Sequence, residues 1–174
     1  GINPFNFNWL LESGQSFQTP EVVMNYSDQG LNKMSQNFHQ LYRKRLAQGR
    51  YRDQERPVLI NNWEGTYFDF DTDKILEMAE AAANVDIELF VLDDGWFGNR
   101  DDDTRSLSDW TVDPRKYPDG LHPLIEHVHG LGMSFGIWFE PEMINEDSDI
   151  HRANPHWVFG AEDQTLGRQQ KALN

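Results

Sequence analysis

Three short apolar runs, separated by amphipathic stretches, constrain the fold of this 174-residue chain more than any other feature. The runs occupy residues 58–60, 89–92 and 135–139, and each has the length of a buried strand. The stretches between them carry apolar residues at helical spacing: Ile75, Met78, Ala79 and Ala82 in the first, and Leu121, Leu124, Ile125, Val128 and Leu131 in the second. Strands that alternate with helices indicate βαβ units and a parallel sheet.

The spacing of the runs predicts the kind of α/β fold. The runs begin about 30 and then about 45 residues apart, which fits one βα unit followed by a βα unit with an extra loop. A complete (β/α)8 TIM barrel takes about 250 residues, more than this chain has. We therefore expect residues 57–174 to form the first three βα units of a partial (β/α)8 barrel. Asp71 or Thr72 is the expected cap of the first barrel helix.

Residues 1–27 follow a different pattern, that of paired strands. Apolar and polar residues alternate on both sides of a turn signal at Ser13-Gly14, which predicts two strands. An isolated hairpin is marginal in water. We therefore interpret these strands as the trailing edge of an N-terminal β-domain.

Residues 28–56 are predicted to link the two domains. Apolar residues recur at helical spacing from Leu31 to about Leu46, which predicts one amphipathic helix capped by Ser27 or Asp28. The following stretch, 48–57, is polar and charged, as expected of a domain boundary.

Composition excludes several classes of function. The formal net charge of −14 disfavours nucleic acid and anionic membranes as partners, because both are bound through Lys and Arg. The chain has no Cys, so it has neither disulfides nor a thiolate metal site. We expect no cofactor and no metal. No export signal or long apolar run is apparent, so a cytoplasmic location is the expectation.

The ends of the three predicted strands carry the candidate binding residues. Rings accompany acids or amides at 61–64, 93–96 and 138–142. Ligands of parallel α/β folds bind at the carboxyl ends of the strands, so these side chains are expected to share one site. Carboxylates accept hydrogen bonds from sugar hydroxyls, and indole faces stack on sugar rings. The pattern therefore indicates a monosaccharide subsite.

Structural readings of the same residues stay open at this point. An Asp pair at a strand end is often a helix cap or a loop acid, and a Trp is as often part of the core. A calcium loop starting at Asp69 is disfavoured, since Lys74 stands where that loop needs Gly. His127 and His129 point to different sides of a helix and are expected at the surface.

Several motifs together closely resemble one family, the bacterial α-galactosidases of glycoside hydrolase family 36. The resemblance covers nearly the whole chain, including a segment at 17–21 that is similar to the end of that family's N-terminal β-sandwich. The chain departs from the family at Asp86 and Ser108, where glycine is expected. The motifs are Asn61-Asn62-Trp63-Glu64, Leu92-Asp93-Asp94-Gly95-Trp96-Phe97-Gly98, Arg100-Asp101-Asp102-Asp103, Asp109-Trp110 and Gly136-Ile137-Trp138-Phe139-Glu140-Pro141-Glu142-Met143.

The resemblance implies roles for individual residues. Asp93 and Asp94 look like the pair that binds galactose hydroxyls, including O4 and O6, at the buried end of the −1 subsite. Trp63 and Trp138 look like two aromatic walls of that subsite. Arg168 is similar to a family arginine that contacts the sugar.

The resemblance also implies what the chain lacks. Family members retain anomeric configuration with an aspartate nucleophile and an aspartate acid/base, and the nucleophile lies in a Lys-Trp-Asp signature that this sequence does not contain. We therefore expect a part of an enzyme that hydrolyses terminal α-linked galactose from oligosaccharides such as raffinose or melibiose, with no catalytic residue in this chain. The longer parent is expected to be a homo-oligomer. A galactosyl-transferring relative and a non-catalytic carbohydrate-binding or structural module are the alternatives.

Overall fold

The computed structural model describes residues 2–3, 7–159 and 167–173. The chain forms two compact units, Gly1–Glu55 and Arg56–Asn174. Within the described residues, no helix combines the length and the apolar character needed to cross a membrane.

The first unit is built around one helix, α1 (Gly30–Leu41), which continues as a π-helical turn at Tyr42–Leu46. The predicted linker helix is thus present, but its predicted cap is wrong. Gln29 holds the capping position without a side-chain hydrogen bond, and Ser27 Oγ accepts instead from the Gln29 amide at 3.2 Å.

The segment before α1 contains the predicted turn but no strands. Gly14 has a φ of 83°, and the Gln15 amide donates to the Glu12 carbonyl at 3.1 Å. Among residues 7–29 the structure assigns no strand, because extended backbone becomes a strand only when a second segment pairs with it. Phe17 instead packs its ring against Trp9, with 5.0 Å between the centroids. The β-domain remains a prediction.

The second unit has a parallel sheet with helices between its strands, as the sequence predicts. Strands β1 (Leu59–Asn61), β2 (Leu89–Leu92) and β3 (Ser134–Ile137) lie in the order β1-β2-β3. The short helix α2 (Trp63–Thr66) and the longer α3 (Thr72–Ala83) connect β1 to β2. Helix α4 (His122–Gly130) precedes β3.

The core of this unit lies between β2 and the two long helices. Alternate residues of a strand face opposite sides, and Phe90 and Leu92 of β2 are both fully buried. The helices contribute their predicted apolar faces, which include the fully buried Ile75, Ala79, Leu124 and Val128, each at most 1% exposed. This packing fixes the direction of β2, and therefore the position of the residues that follow it.

The N-terminus of α3 confirms one predicted cap. The Asp71 carboxylate accepts from the Lys74 amide at 3.0 Å, which satisfies one of the free donors of the first helical turn. This role also explains the acid that the sequence places where a calcium loop would have one.

A small antiparallel sheet follows β3 and was not predicted. Its strands are β4 (Met143–Asn145), β5 (Val158–Phe159) and β6 (Gln170–Leu173), in the order β4-β6-β5. Helix α5 (Asp149–Ala153) lies between β4 and β5. The sheet brings residues 167–169 beside the end of β4.

Candidate functional site

The candidate site begins where the parallel strands end. Strand β2 ends at Leu92, so Asp93 and Asp94 both lie beyond the strand and are not forced to opposite faces. Trp63 opens α2 directly after β1, and Trp138 follows β3, with its amide donating to the Leu92 carbonyl at 2.9 Å. Three of the predicted groups thus share one edge of the sheet.

Two asparagines hold Asp93 from the side of β1. Asn61 Nδ2 donates to the Asp93 carboxylate at 2.7 Å, and the Asp93 amide donates to Asn62 Oδ1 at 2.8 Å. The carboxylate also accepts from the Asp94 amide at 2.7 Å. Burial raises the pKa of Asp93, and the nearby Asp94 charge raises it further. Asp93 is half-buried, so part of it stays accessible to a ligand.

Asp94 forms a buried, two-pronged ion pair with Arg100. Arg100 Nε donates to one carboxylate oxygen at 2.5 Å and Nη2 donates to the other at 2.7 Å. The Arg100 side chain is fully buried and that of Asp94 is 7% exposed. The family resemblance implies that Asp94 contacts the sugar, but the sequence did not predict its pairing with Arg100. This pairing fixes the orientation of the carboxylate.

The Arg100 guanidinium also connects the predicted aromatic walls. It lies 5.6 Å from the ring centre of Phe68 and 5.7 Å from that of Phe97, within range of a cation–π interaction. Phe68 contacts Trp63 edge to face at 5.1 Å, and Phe97 lies nearly parallel to Trp138 at 6.4 Å. Trp63 and Trp138 are both half-buried, so each keeps a surface for a ligand.

Arg168 lies at the margin of this network. Its side chain is 61% exposed, and its Nε is 3.4 Å from a carboxylate oxygen of Asp103. Its backbone has a φ of 61° in the turn Gly167–Gln169. The Arg168 carbonyl accepts from Asn145 Nδ2 at 3.2 Å, and Asn145 Oδ1 accepts from Arg100 at 3.0 Å. Arg168 is therefore linked to Asp94 through two buried side chains.

Lys116 ties together the loops after β1 and β2. Its side chain lies on the long loop before α4, and its ammonium donates to the carbonyls of Phe68 at 2.8 Å and Gly95 at 2.9 Å. Burial lowers the pKa of Lys116. Both carbonyls border the candidate site, so this bridge fixes Trp63 relative to the Asp pair.

Glu140 is a further acid of the site to which sequence reasoning gave no role. Burial raises its pKa, the Glu142 charge adds to this effect, and Arg100 opposes it. Asp94 adds a smaller rise to the pKa of Glu140, and Arg168 a smaller fall.

Sequence reasoning missed the residues that hold the site. Arg100 had one weak signal, as the first of two cations in the acidic stretch 93–109. Asn145 and Lys116 had none, because their partners are distant in the sequence.

A parallel α/β sheet whose carboxyl edge carries held carboxylates and half-exposed indoles is the arrangement of a carbohydrate-active enzyme. The Melibiase family model matches residues 16–174, and the chain belongs to that family. The predicted family is thereby confirmed.

Individual relatives agree with this assignment. Over 176 residues the chain is 58% identical to Alpha-galactosidase AgaA of Geobacillus stearothermophilus, covering 100% of this chain and 24% of the relative. It is 53% identical over 159 residues to Alpha-galactosidase Mel36A of Lactobacillus acidophilus, covering 91% of this chain and 22% of the relative. The chain thus spans about a quarter of the length of these relatives.

Solved structures show the same fold. A crystal structure of a variant of the Geobacillus enzyme AgaA in complex with raffinose is similar with a TM-score of 0.88 and 58% identity, covering 99% of this chain and 24% of that one. Another variant of that enzyme was solved with stachyose. The α/β fold with a parallel sheet is confirmed by this likeness.

Proposed function

We propose that this chain is the galactose-binding part of a retaining α-galactosidase, which hydrolyses terminal α-linked galactose from oligosaccharides such as raffinose or melibiose. The observation that carries the proposal is the pair Asp93 and Asp94 at the end of β2. One carboxylate is held by amides and the other by a buried arginine, between two half-exposed indoles. Relatives that match the chain are α-galactosidases, and one was solved with raffinose.

The strand order supports a partial (β/α)8 barrel as the setting of this site. Each parallel strand pairs with the next one along the chain, from β1 to β3, without the reversal of order that marks a doubly wound sheet. On β2, Leu89 and Val91 are only half-buried, as expected of a face that further barrel strands would cover.

The site residues are proposed to bind the sugar, and none of them is proposed to react with it. Asp93 and Asp94 accept hydrogen bonds from galactose hydroxyls, and Trp63 and Trp138 form walls of the −1 subsite. Arg168 also contacts the sugar, and Asn145 and Arg100 connect it to Asp94. These carboxylates recognise the sugar and do not react with it. The nucleophile and the acid/base belong to the remaining length of the enzyme. The whole enzyme is proposed to be a homo-oligomer.

Turnover of p-nitrophenyl α-galactoside by the proposed full-length enzyme tests this function. We expect hydrolysis of this substrate and at least about 100-fold lower kcat/KM for p-nitrophenyl α-glucoside, because the acid pair recognises the axial O4. Asp93→Asn should lower kcat/KM about 10- to 100-fold by removing one charge-assisted hydrogen bond. Asp73→Asn, on the exposed start of α3, is the matched control. A wild-type enzyme that binds galactosides without turnover would instead support a non-catalytic module.

A further inference from the structure

Both polar atoms of the Asn145 side chain form hydrogen bonds inside the second unit. The side chain is fully buried at the end of β4. Its oxygen accepts from Arg100 Nη1 at 3.0 Å and from the Leu107 amide at 3.1 Å. Its nitrogen faces three carbonyls, those of Arg168 and Gln169, both at 3.2 Å, and that of Asp103 at 3.4 Å. Since the amide faces donors on one side and carbonyls on the other, only one orientation satisfies it.

Two of the three carbonyls that face Asn145 belong to an unfavourable stretch of backbone. Arg168 has a φ of 61° and Gln169 a φ of 53°, a region that residues with a Cβ adopt only at a cost. Two consecutive residues in this conformation persist only where their surroundings fix them. In this structure the Asn145 amide supplies that constraint, and strand β6 starts immediately after the turn.

On its other side, Asn145 acts on the Asp94–Arg100 pair. Arg100 uses two nitrogens for Asp94, while its third, Nη1, is shared between Asn145 and the Arg105 carbonyl at 2.7 Å. The guanidinium plane, and with it the Asp94 carboxylate, is thereby fixed from behind. One amide thus contacts the partner of Asp94 on one side and the backbone of Arg168 on the other.

We infer that Asn145 is a positioning residue that sets the Arg168 turn relative to the Asp94–Arg100 pair, and so determines the affinity for galactosides. The inference rests on the proposed function of Asp94 and Arg168. Asn145 itself touches no substrate, because it is fully buried. It acts by keeping the two charged groups in register, one on the loop after β2 and the other beside β4.

Asn145→Asp in the proposed full-length enzyme tests this role. The substitution keeps an oxygen for Arg100 and for the Leu107 amide, but it turns the donor toward the Arg168 and Gln169 carbonyls into a second acceptor. We expect KM for p-nitrophenyl α-galactoside to rise about tenfold while kcat changes less than about twofold. In an Arg168→Ala background, Asn145→Asp should cause a clearly smaller loss than in the wild type, since part of its effect acts through the Arg168 turn and the rest through Arg100.

Val128→Ala is the matched control for a merely structural effect. Val128 is fully buried on α4, so its truncation lowers thermal stability, but KM should stay at the wild-type value. If Asn145→Asp does not fold, Asn145→Ser is measured in its place. It removes the Nδ2 donor together with the Oδ1 acceptor of Arg100 and of the Leu107 amide, so a raised KM is again the expected result.

The outcomes separate this inference from the proposed function. An inactive wild-type enzyme overturns the proposed function and this inference with it. An active wild type with an unchanged KM in the Asn145 variant overturns the inference alone. Losses that add in the Asn145→Asp, Arg168→Ala double variant also overturn it, because Asn145 would then act independently of Arg168.

Discussion

At the scale of single residues, Asp94 contributes to the fold as well as to the proposed site. Asp94→Ala would leave the Arg100 guanidinium buried without a countercharge. Breaking one side of a buried ion pair costs about 3–5 kcal/mol, so we expect the free energy of unfolding of the chain to fall by that amount. Urea denaturation measures the change.

The matched control for Asp94 is Asp101→Ala, which removes an exposed partner of Arg115. The side chains of this second pair are 48% and 50% exposed, and pairs of this kind contribute about 0–1 kcal/mol. Equal losses from the two variants would contradict the assigned importance of the Asp94–Arg100 pair.

Glu140 should make stability depend on pH in a direction that its raised pKa fixes. A carboxyl whose pKa is higher in the folded state contributes stability at low pH and loses it as pH rises through the folded value. Glu140→Gln cannot ionise, so its melting temperature relative to wild type should increase from about pH 4 to about pH 7. Glu77→Gln, on the exposed face of α3, is the matched control for the change from Glu to Gln itself.

Single residues also show which parts of the proposed site could be predicted from the sequence. The common location of Asp93, Asp94, Trp63 and Trp138 was predictable, because the carboxyl ends of parallel strands meet at one edge of the sheet, while their role in binding stays a prediction. Arg100 was not predictable as their partner. It comes from the long loop between β2 and α4, whose course depends on tertiary contacts that no periodicity records.

At the scale of elements, the helices and parallel strands were predicted because burial on one face imposes a repeating pattern. The small antiparallel sheet left no such pattern. Its strands are two to four residues long, and β6 pairs with both β4 and β5 across an intervening segment. Pairings of this kind depend on the tertiary fold more than on local sequence.

The turn after α3 has a backbone conformation that favours glycine, but its residue is Asp86. Asp86 stands where the family resemblance leads one to expect glycine, and its φ is 59°. Ser108, the other such departure, has a φ of 85°. The backbone therefore keeps a conformation suited to glycine at both positions although neither residue is glycine.

Asp86→Gly should stabilise the chain by about 0.5–1 kcal/mol, because it removes the penalty of a Cβ in left-handed backbone. Asp86 is exposed, so no packing is lost. Asn84→Gly is the matched control. With a φ of −66° it gains nothing from glycine and should lose about 0.3 kcal/mol, the difference between Asn and Gly in helix propensity. Urea denaturation measures the free energy of unfolding of both variants. A lower value for Asp86→Gly than for the wild type would show that the conformation of Asp86 is not strained.

At the scale of the whole molecule, the acids at the proposed site are held in a way that suits binding better than nucleophilic attack. The two carboxylates beside the indoles are both engaged: Asp94 is paired with Arg100, and Asp93 accepts from Asn61 and from a backbone amide. A retaining glycosidase needs two carboxyls about 5–5.5 Å apart, one of them free to attack the sugar. A carboxylate locked in a two-pronged ion pair is a poor nucleophile, because attack would break both hydrogen bonds.

The 174-residue chain by itself should therefore not hydrolyse p-nitrophenyl α-galactoside, whereas the proposed full-length enzyme should. The physical reason is the missing Lys-Trp-Asp signature together with the engagement of Asp94. Release of p-nitrophenol, measured at equal molar concentrations of the two proteins, tests this. Turnover by the short chain that survives in Asp94→Asn would mean that another carboxylate of this chain attacks the sugar, and Asp93→Asn and Glu140→Gln would then identify it.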